Sequence, residues 1–132
     1  MTYLNEADAT FPLSTAAPRA ARRWLHRTGV VPAELAEVAD LVVSELVTNS
    51  VAHSGLSEPD VVAVHIAAFP GGIAGEVMDE GRGIGADPRP RARSLGLGII
   101  DRTVSRWGHT DHPTRVWFEV KLPRGRAPRS VA

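Results

Sequence analysis

Glu45, Asn49 and His53 recur four residues apart in the stretch AELAEVADLVVSELVTNSVAHS. On a helix this spacing stacks a carboxylate, an amide and an imidazole along one side, one turn apart. With Leu35 at 0° and about 100° per residue, Ala39, Val42 and Leu46 form an apolar stripe, and Glu45, Asn49 and His53 fall near about 280°, 320° and 0°. The spacing alone fits a solvated helix edge equally well. Asn49 shifts the balance, because an amide inside the core-facing arc costs about 1–3 kcal/mol unless something hydrogen-bonds it. A ligand or a metal-bound water would serve; His53 reads more readily as structural.

Asp79 is the second such residue. It ends a strand whose alternation puts Ile73, Gly75, Val77 and Asp79 on one face and Ala74, Glu76 and Met78 on the other. If the more apolar face points to the core, a carboxylate points inward at its end, directly before Glu80-Gly81-Arg82-Gly83-Ile84-Gly85. A buried Asp needs donors, and the exocyclic amino group of a base is one. The plainer alternative is an Asp capping a Gly-rich turn. The third stretch, Ser94-Leu95-Gly96-Leu97-Gly98-Ile99-Ile100, reads as a Gly-rich turn leading into a helix. Free N–H groups at such a helix start favour an anion, phosphate above all. Arg89, Arg91 and Arg93 just before it are placed to pair with the same anion, or simply to be solvated.

Composition narrows the chemistry further. The 132 residues include 43% hydrophobic side chains, no cysteine, and 15 basic against 15 acidic residues. This fits one compact domain with a core large enough to need no disulfide. Without cysteine there is no thiol nucleophile and no Cys-based zinc site. Lys121 is the only lysine, and Leu122-Pro123 after it is not a phosphate-binding P-loop. Lysine Schiff-base chemistry is equally disfavoured. Zero net charge argues against general affinity for nucleic acid. The N-terminus lacks signal-peptide character and no apolar run approaches the roughly 18 residues of a membrane span, so a cytoplasmic protein is expected.

These residues need elements to position them. Residues 9–13 read as a short extended segment confined to a sheet edge by Pro12. A helix is expected over 16–28, N-capped by Ser14 and stopped by Gly29. A second runs from Pro32 to Gly55. Strands 61–69 and 73–79 flank Pro70-Gly71-Gly72 as a hairpin. Residues 80–94, dense in Gly and Pro, read as a loop, followed by a helix over 95–107 from the spacing of Leu97, Ile100, Val104 and Trp107. Alternation of Val116, Phe118, Val120 and Leu122 predicts a last strand, and 123–132 a disordered tail. The expected fold is α+β: a two-layer sandwich with a mixed, mostly antiparallel sheet and helices on one face, a single domain over residues 1–122.

In this order and spacing the three stretches resemble the GHKL, or Bergerat-fold, ATPases. ELVTNSVAH over 45–53 looks like their N box, DEGRG over 79–83 like the first Gly box, and SLGLG over 94–98 like the second. The likeness covers about residues 11–122 and is most similar to bacterial anti-sigma factor kinases. Those are ATP-binding partner-switching regulators that phosphorylate a Ser or Thr of a STAS-domain antagonist, and many sequester a sigma factor. The resemblance implies that Asn49 coordinates Mg²⁺ between the ATP phosphates, Glu45 is general base, and Asp79 binds the adenine amino group. It further implies that Gly81 and Gly83 shape the floor of the site, and that Arg93, Ser94, Gly96, Leu97 and Gly98 meet the phosphates beneath a lid over 84–94. Ser94 departs from the family pattern, which has glycine there. A homodimer through the edge strand near Phe11 is also compatible.

Two other readings compete. Histidine kinases share the boxes but need a separate phosphoacceptor domain, for which the expected single domain leaves no room. An ATP-responsive adaptor would hold a partner without transferring phosphate; it needs Asn49 and Asp79 but has less use for Glu45. A metal site of His109, Asp111 and His112 is disfavoured, since that cluster precedes Pro113 in an exposed turn.

Overall fold

The computed structural model describes residues 2–84 and 90–123, the side chains of residues 90–96 excepted. In chain order the elements are β1 (Asn5–Pro12), α1 (Ala17–Thr28), α2 (Ala36–His53), β2 (Val61–Phe69), β3 (Gly72–Asp79), α3 (Pro90–Thr103), β4 (Arg106–Thr110) and β5 (Thr114–Lys121). A 3₁₀ turn over Ala33–Leu35 leads into α2. The five strands form one sheet in the order β1-β2-β3-β5-β4, and every neighbouring pair is antiparallel. The architecture is an α+β two-layer sandwich. The sheet is thus wholly antiparallel rather than mixed.

The period-2 pattern of each strand decides which face meets the helices. Phe11, Val62, Val64, Ile66, Ile73, Val77, Val116, Phe118 and Val120 are buried in one cluster with Ala21 and Leu25 of α1, Ala39, Val42, Val43, Leu46 and Val47 of α2, and Ile100 of α3. Trp24 of α1 meets Phe11 edge-on with ring centroids 5.8 Å apart, a geometry aromatic pairs favour. The opposite face carries paired polar side chains, including Glu76 with Arg115 and His65 with Glu6.

Four expectations need correction. β1 starts at Asn5, not at residue 9, because Ala7, Ala9 and Phe11 face inward while Glu6, Asp8 and Thr10 stay exposed. Ala16, not Ser14, is the N-cap of α1; its own N–H is bonded by the Ser14 hydroxyl at 3.3 Å. The helix expected over 95–107 begins at Pro90 and ends at Thr103, and Trp107 and Gly108 belong to β4. Trp107 matches helical spacing by coincidence. In the strand it pairs with Phe118, and its indole N–H donates to Asp101 at 2.8 Å. Gly108 makes room for the Trp117 ring, which a Cβ would meet at 2.7 Å. Finally, Ser94–Gly98 lie inside α3 rather than in a turn before a helix. Of the expected tail, 124–132 lie outside the described residues; so do 85–89 of the expected lid, Arg89 among them, and the side chains of Arg91, Arg93 and Ser94.

Candidate functional site

Helix α2 sets the first wall. Its apolar positions anchor it against the sheet, and that rotation carries Asn49 and His53 into the interior, Asn49 with only 6% of its surface exposed. Glu45, one turn earlier, is half-buried. Asn49 Nδ2 is buried with no hydrogen-bond partner among the described residues. Such an orphaned amide NH₂ costs about 1–3 kcal/mol in an empty core; as a donor it calls for an acceptor oxygen, such as that of a phosphate or a water, and not for a cation.

The second wall is the end of β3. Ile73, Gly75, Val77 and Asp79 do face the core, and Asp79 is 3% exposed. Its Oδ1 accepts the Gly81 N–H at 2.8 Å, a turn closed by its own side chain. That bond fixes the carboxylate plane and aims the other oxygen inward. Oδ2 is buried and has no hydrogen-bond partner among the described residues.

Opposite Asp79 in the β3–β5 register stands Thr114, also 3% exposed, with its hydroxyl likewise buried and unpartnered among the described residues. Sequence reasoning missed Thr114. The signal was available: the alternation of Val116, Phe118 and Val120, continued one step back, places Thr114 on the inward face.

The loop after Asp79 closes the floor. A Cβ on Gly81 would stand 2.5 Å from the Ser54 carbonyl oxygen, so only glycine lets the loop touch the end of α2. The Arg82 N–H donates to that same carbonyl at 3.0 Å. Gly83 adopts φ +86°, a conformation side chains resist. Asp79, Gly81, Gly83, Thr114 and the end of α2 are therefore brought together. Helix α3 packs on α2, with Leu97 against the core and Gly98 partly exposed.

The arrangement offers an inward carboxylate acceptor beside a hydroxyl, and an amide on the adjacent helix. An amino group next to a ring nitrogen satisfies the first two, since Asp79 accepts while Thr114 donates. A cavity of about 350 Å³ lies instead on the open sheet face, lined by Asp8, Thr10, His65, Glu76 and Met78. Its His65 and Glu76 are already paired, so the unpartnered buried atoms, not the cavity, locate the site. Among the described residues no His, Cys, Asp and Glu cluster suits a metal ion, and no helix is long and apolar enough to cross a membrane.

A family model described as the histidine kinase-like ATPase domain matches residues 8–118, from β1 through β5. The chain belongs to this family, within the GHKL superfamily of ATP-binding domains. None of the curated proteins compared with the chain matches it.

Proposed function

We propose that the chain is a serine/threonine protein kinase that takes the γ-phosphoryl group of Mg-ATP and transfers it to a STAS-domain antagonist, acting as an anti-sigma-factor-like partner-switching regulator. The observation that carries the nucleotide part is the pair of unpartnered buried atoms, Asp79 Oδ2 and Thr114 Oγ1, on residues opposite each other in the β3–β5 register of a member of an ATP-binding family. Asp79 accepts from the adenine amino group and Thr114 donates to the neighbouring ring nitrogen. Asn49 offers its amide oxygen to Mg²⁺, a hard cation that prefers oxygen. Leu97 and Gly98, with the backbone of Ser94 and Gly96, border the phosphates, where Arg93 adds charge. Bound Mg-ATP supplies an electrophilic phosphorus and a good leaving group.

Glu45 supports the kinase over the adaptor. Its carboxylate is half-buried one turn before Asn49 and makes no hydrogen bond or ion pair among the described residues. A free carboxylate there can take the proton that an incoming serine hydroxyl must lose. A positioned general base contributes about 10²–10⁴-fold to rate and little to ground-state binding. With labelled ATP, Mg²⁺ and STAS proteins encoded nearby, Glu45→Ala should nearly abolish transfer while keeping ATP affinity within about threefold. Asn49→Ala should damage both. A wild-type protein that binds Mg-ATP and a partner yet transfers no phosphate to any of them would leave the adaptor standing.

A further inference from the structure

The floor of the site is held at three places by three different elements. The Gly81 N–H goes to Asp79 at the end of β3, and the Arg82 N–H to the Ser54 carbonyl at the end of α2. The Ile84 N–H goes to Asp111, in the turn between β4 and β5, whose Oδ1 accepts it at 3.0 Å across 27 positions of sequence. The first two bonds fix the near end of the loop. The third holds its far end, where the Ile84 side chain also packs against the core.

Asp111 also meets Gly83, the one residue with a left-handed backbone among the described residues of the loop. A Cβ on Gly83 would stand 3.0 Å from Asp111 Cγ and 3.1 Å from its Cβ and Oδ1, so loop and turn are in close apposition. The same turn leads directly into Thr114, which pairs with Asp79. The chain from Asp79 to Ile84, the Ile84–Asp111 bond, the chain from Asp111 to Thr114 and the Thr114–Asp79 pairing form a closed ring. The two unpartnered buried atoms of the site, Asp79 Oδ2 and Thr114 Oγ1, belong to that ring. One side-chain hydrogen bond closes it.

The geometry points to Asp111 as a positioning residue for nucleotide binding: it ties the Gly81–Ile84 loop to the β4–β5 turn and so holds the rim of the adenine side in place before ligand arrives. The assignment rests on the nucleotide reading above. Preorganisation of this kind raises affinity by removing an ordering cost from the binding step, with no new contact to ligand. What the role requires is an oxygen acceptor at Oδ1, not a charge. His109 Nδ1 lies 3.8 Å from the same oxygen, beyond hydrogen-bond distance, and both side chains are over a third exposed, so that ion pair is a minor term.

The test uses the full-length chain, calorimetry with a non-hydrolysable ATP analogue and Mg²⁺, and amide hydrogen exchange at Ile84 without nucleotide. Asp111→Ala should weaken nucleotide binding by about three- to tenfold, the worth of one hydrogen bond, and speed exchange at Ile84. Asp111→Asn keeps the acceptor and loses the charge, so it should bind within about twofold of wild type, with Ile84 still protected. Wild-type affinity in the alanine variant overturns the assignment, as does an asparagine variant that loses as much as alanine. If the alanine variant does not fold, the asparagine variant still decides: its Ile84 exchange must match wild type. If the wild-type protein binds no nucleotide at all, the functional reading fails, whereas Ile84 exchange still reports separately whether Asp111 holds the loop.

Discussion

The two glycine-rich stretches of the chain obey different constraints. At Gly81 the fold itself demands glycine, because a Cβ would stand 2.5 Å from the Ser54 carbonyl and 2.7 Å from Asp79 Oδ1. At Gly98, inside α3, the nearest atom to a built Cβ among the described residues is the end of the Arg102 side chain at 3.6 Å, an ordinary contact. Glycine within a helix costs about 1 kcal/mol relative to alanine, and packing returns nothing for it here. The first stretch is written by the folded chain. The second has no such demand at Gly98 among the described residues, and the proposal that backbone there meets phosphate would supply one.

The largest effect should come from the anchored side. Asp79→Asn keeps Oδ1 to accept from Gly81, so the turn and the fold survive. It places an NH₂ where Oδ2 stood, and a donor then faces the donor of an adenine amino group. Losing that charge-assisted bond should weaken ATP binding by about ten- to a hundredfold, from about 1.5–3 kcal/mol. Calorimetry with ATP and GTP reads it. Equal affinity of the wild type for both nucleotides, or full affinity in the variant, would remove adenine from the Asp79 side.

Next in size is Gly81→Ala, which sets the demand of the fold against a methyl group. The atoms it strikes include the Ser54 carbonyl, which cannot rotate away without moving the end of α2. Overpacking of this kind costs about 1–3 kcal/mol. A urea unfolding midpoint should fall accordingly. An unchanged midpoint would mean that the anchored loop yields freely, and the contrast with Gly98 would collapse.

Much of this site was legible in the sequence because it depends on periodicity. The helical wheel put Asn49 in the core-facing arc, and strand alternation put Asp79 on the inward face, where both lie. The β2–β3 hairpin was legible because Pro70-Gly71-Gly72 splits two largely apolar runs, 61–69 and 73–79. β4 was not, since its five residues, Arg106–Thr110, are too few to show alternation and Trp107 extends the helical spacing of Leu97, Ile100 and Val104. The inclusion of Ser94–Gly98 in α3 was hidden for the opposite reason, because glycines read as a turn whatever their neighbours do. The bond made by Asp111 left no trace, since the sequence offered that residue only as part of a disfavoured metal cluster with His109 and His112. Its partner is 27 residues away, and no local pattern encodes a bond between two loops.

The smallest effect is the most discriminating, because its two readouts should move in opposite directions. Gly98→Ala adds a methyl with no close neighbour among the described residues to a residue inside a 14-residue helix. Alanine loses less backbone entropy on folding than glycine, so the variant should be more stable by about 0.5–1 kcal/mol, seen as a higher urea midpoint. If the backbone of this stretch also approaches the phosphates, the same methyl should hinder that approach and weaken binding of Mg-ATP by a few fold, while Gly81→Ala loses stability and affinity together. A Gly98→Ala protein that is more stable and binds nucleotide as tightly as wild type would deny the glycine any phosphate role. A less stable one would mean that residue 98 has a neighbour the helix does not account for. Stability gained and affinity lost is the one result that leaves the second glycine stretch serving a ligand at the expense of the fold.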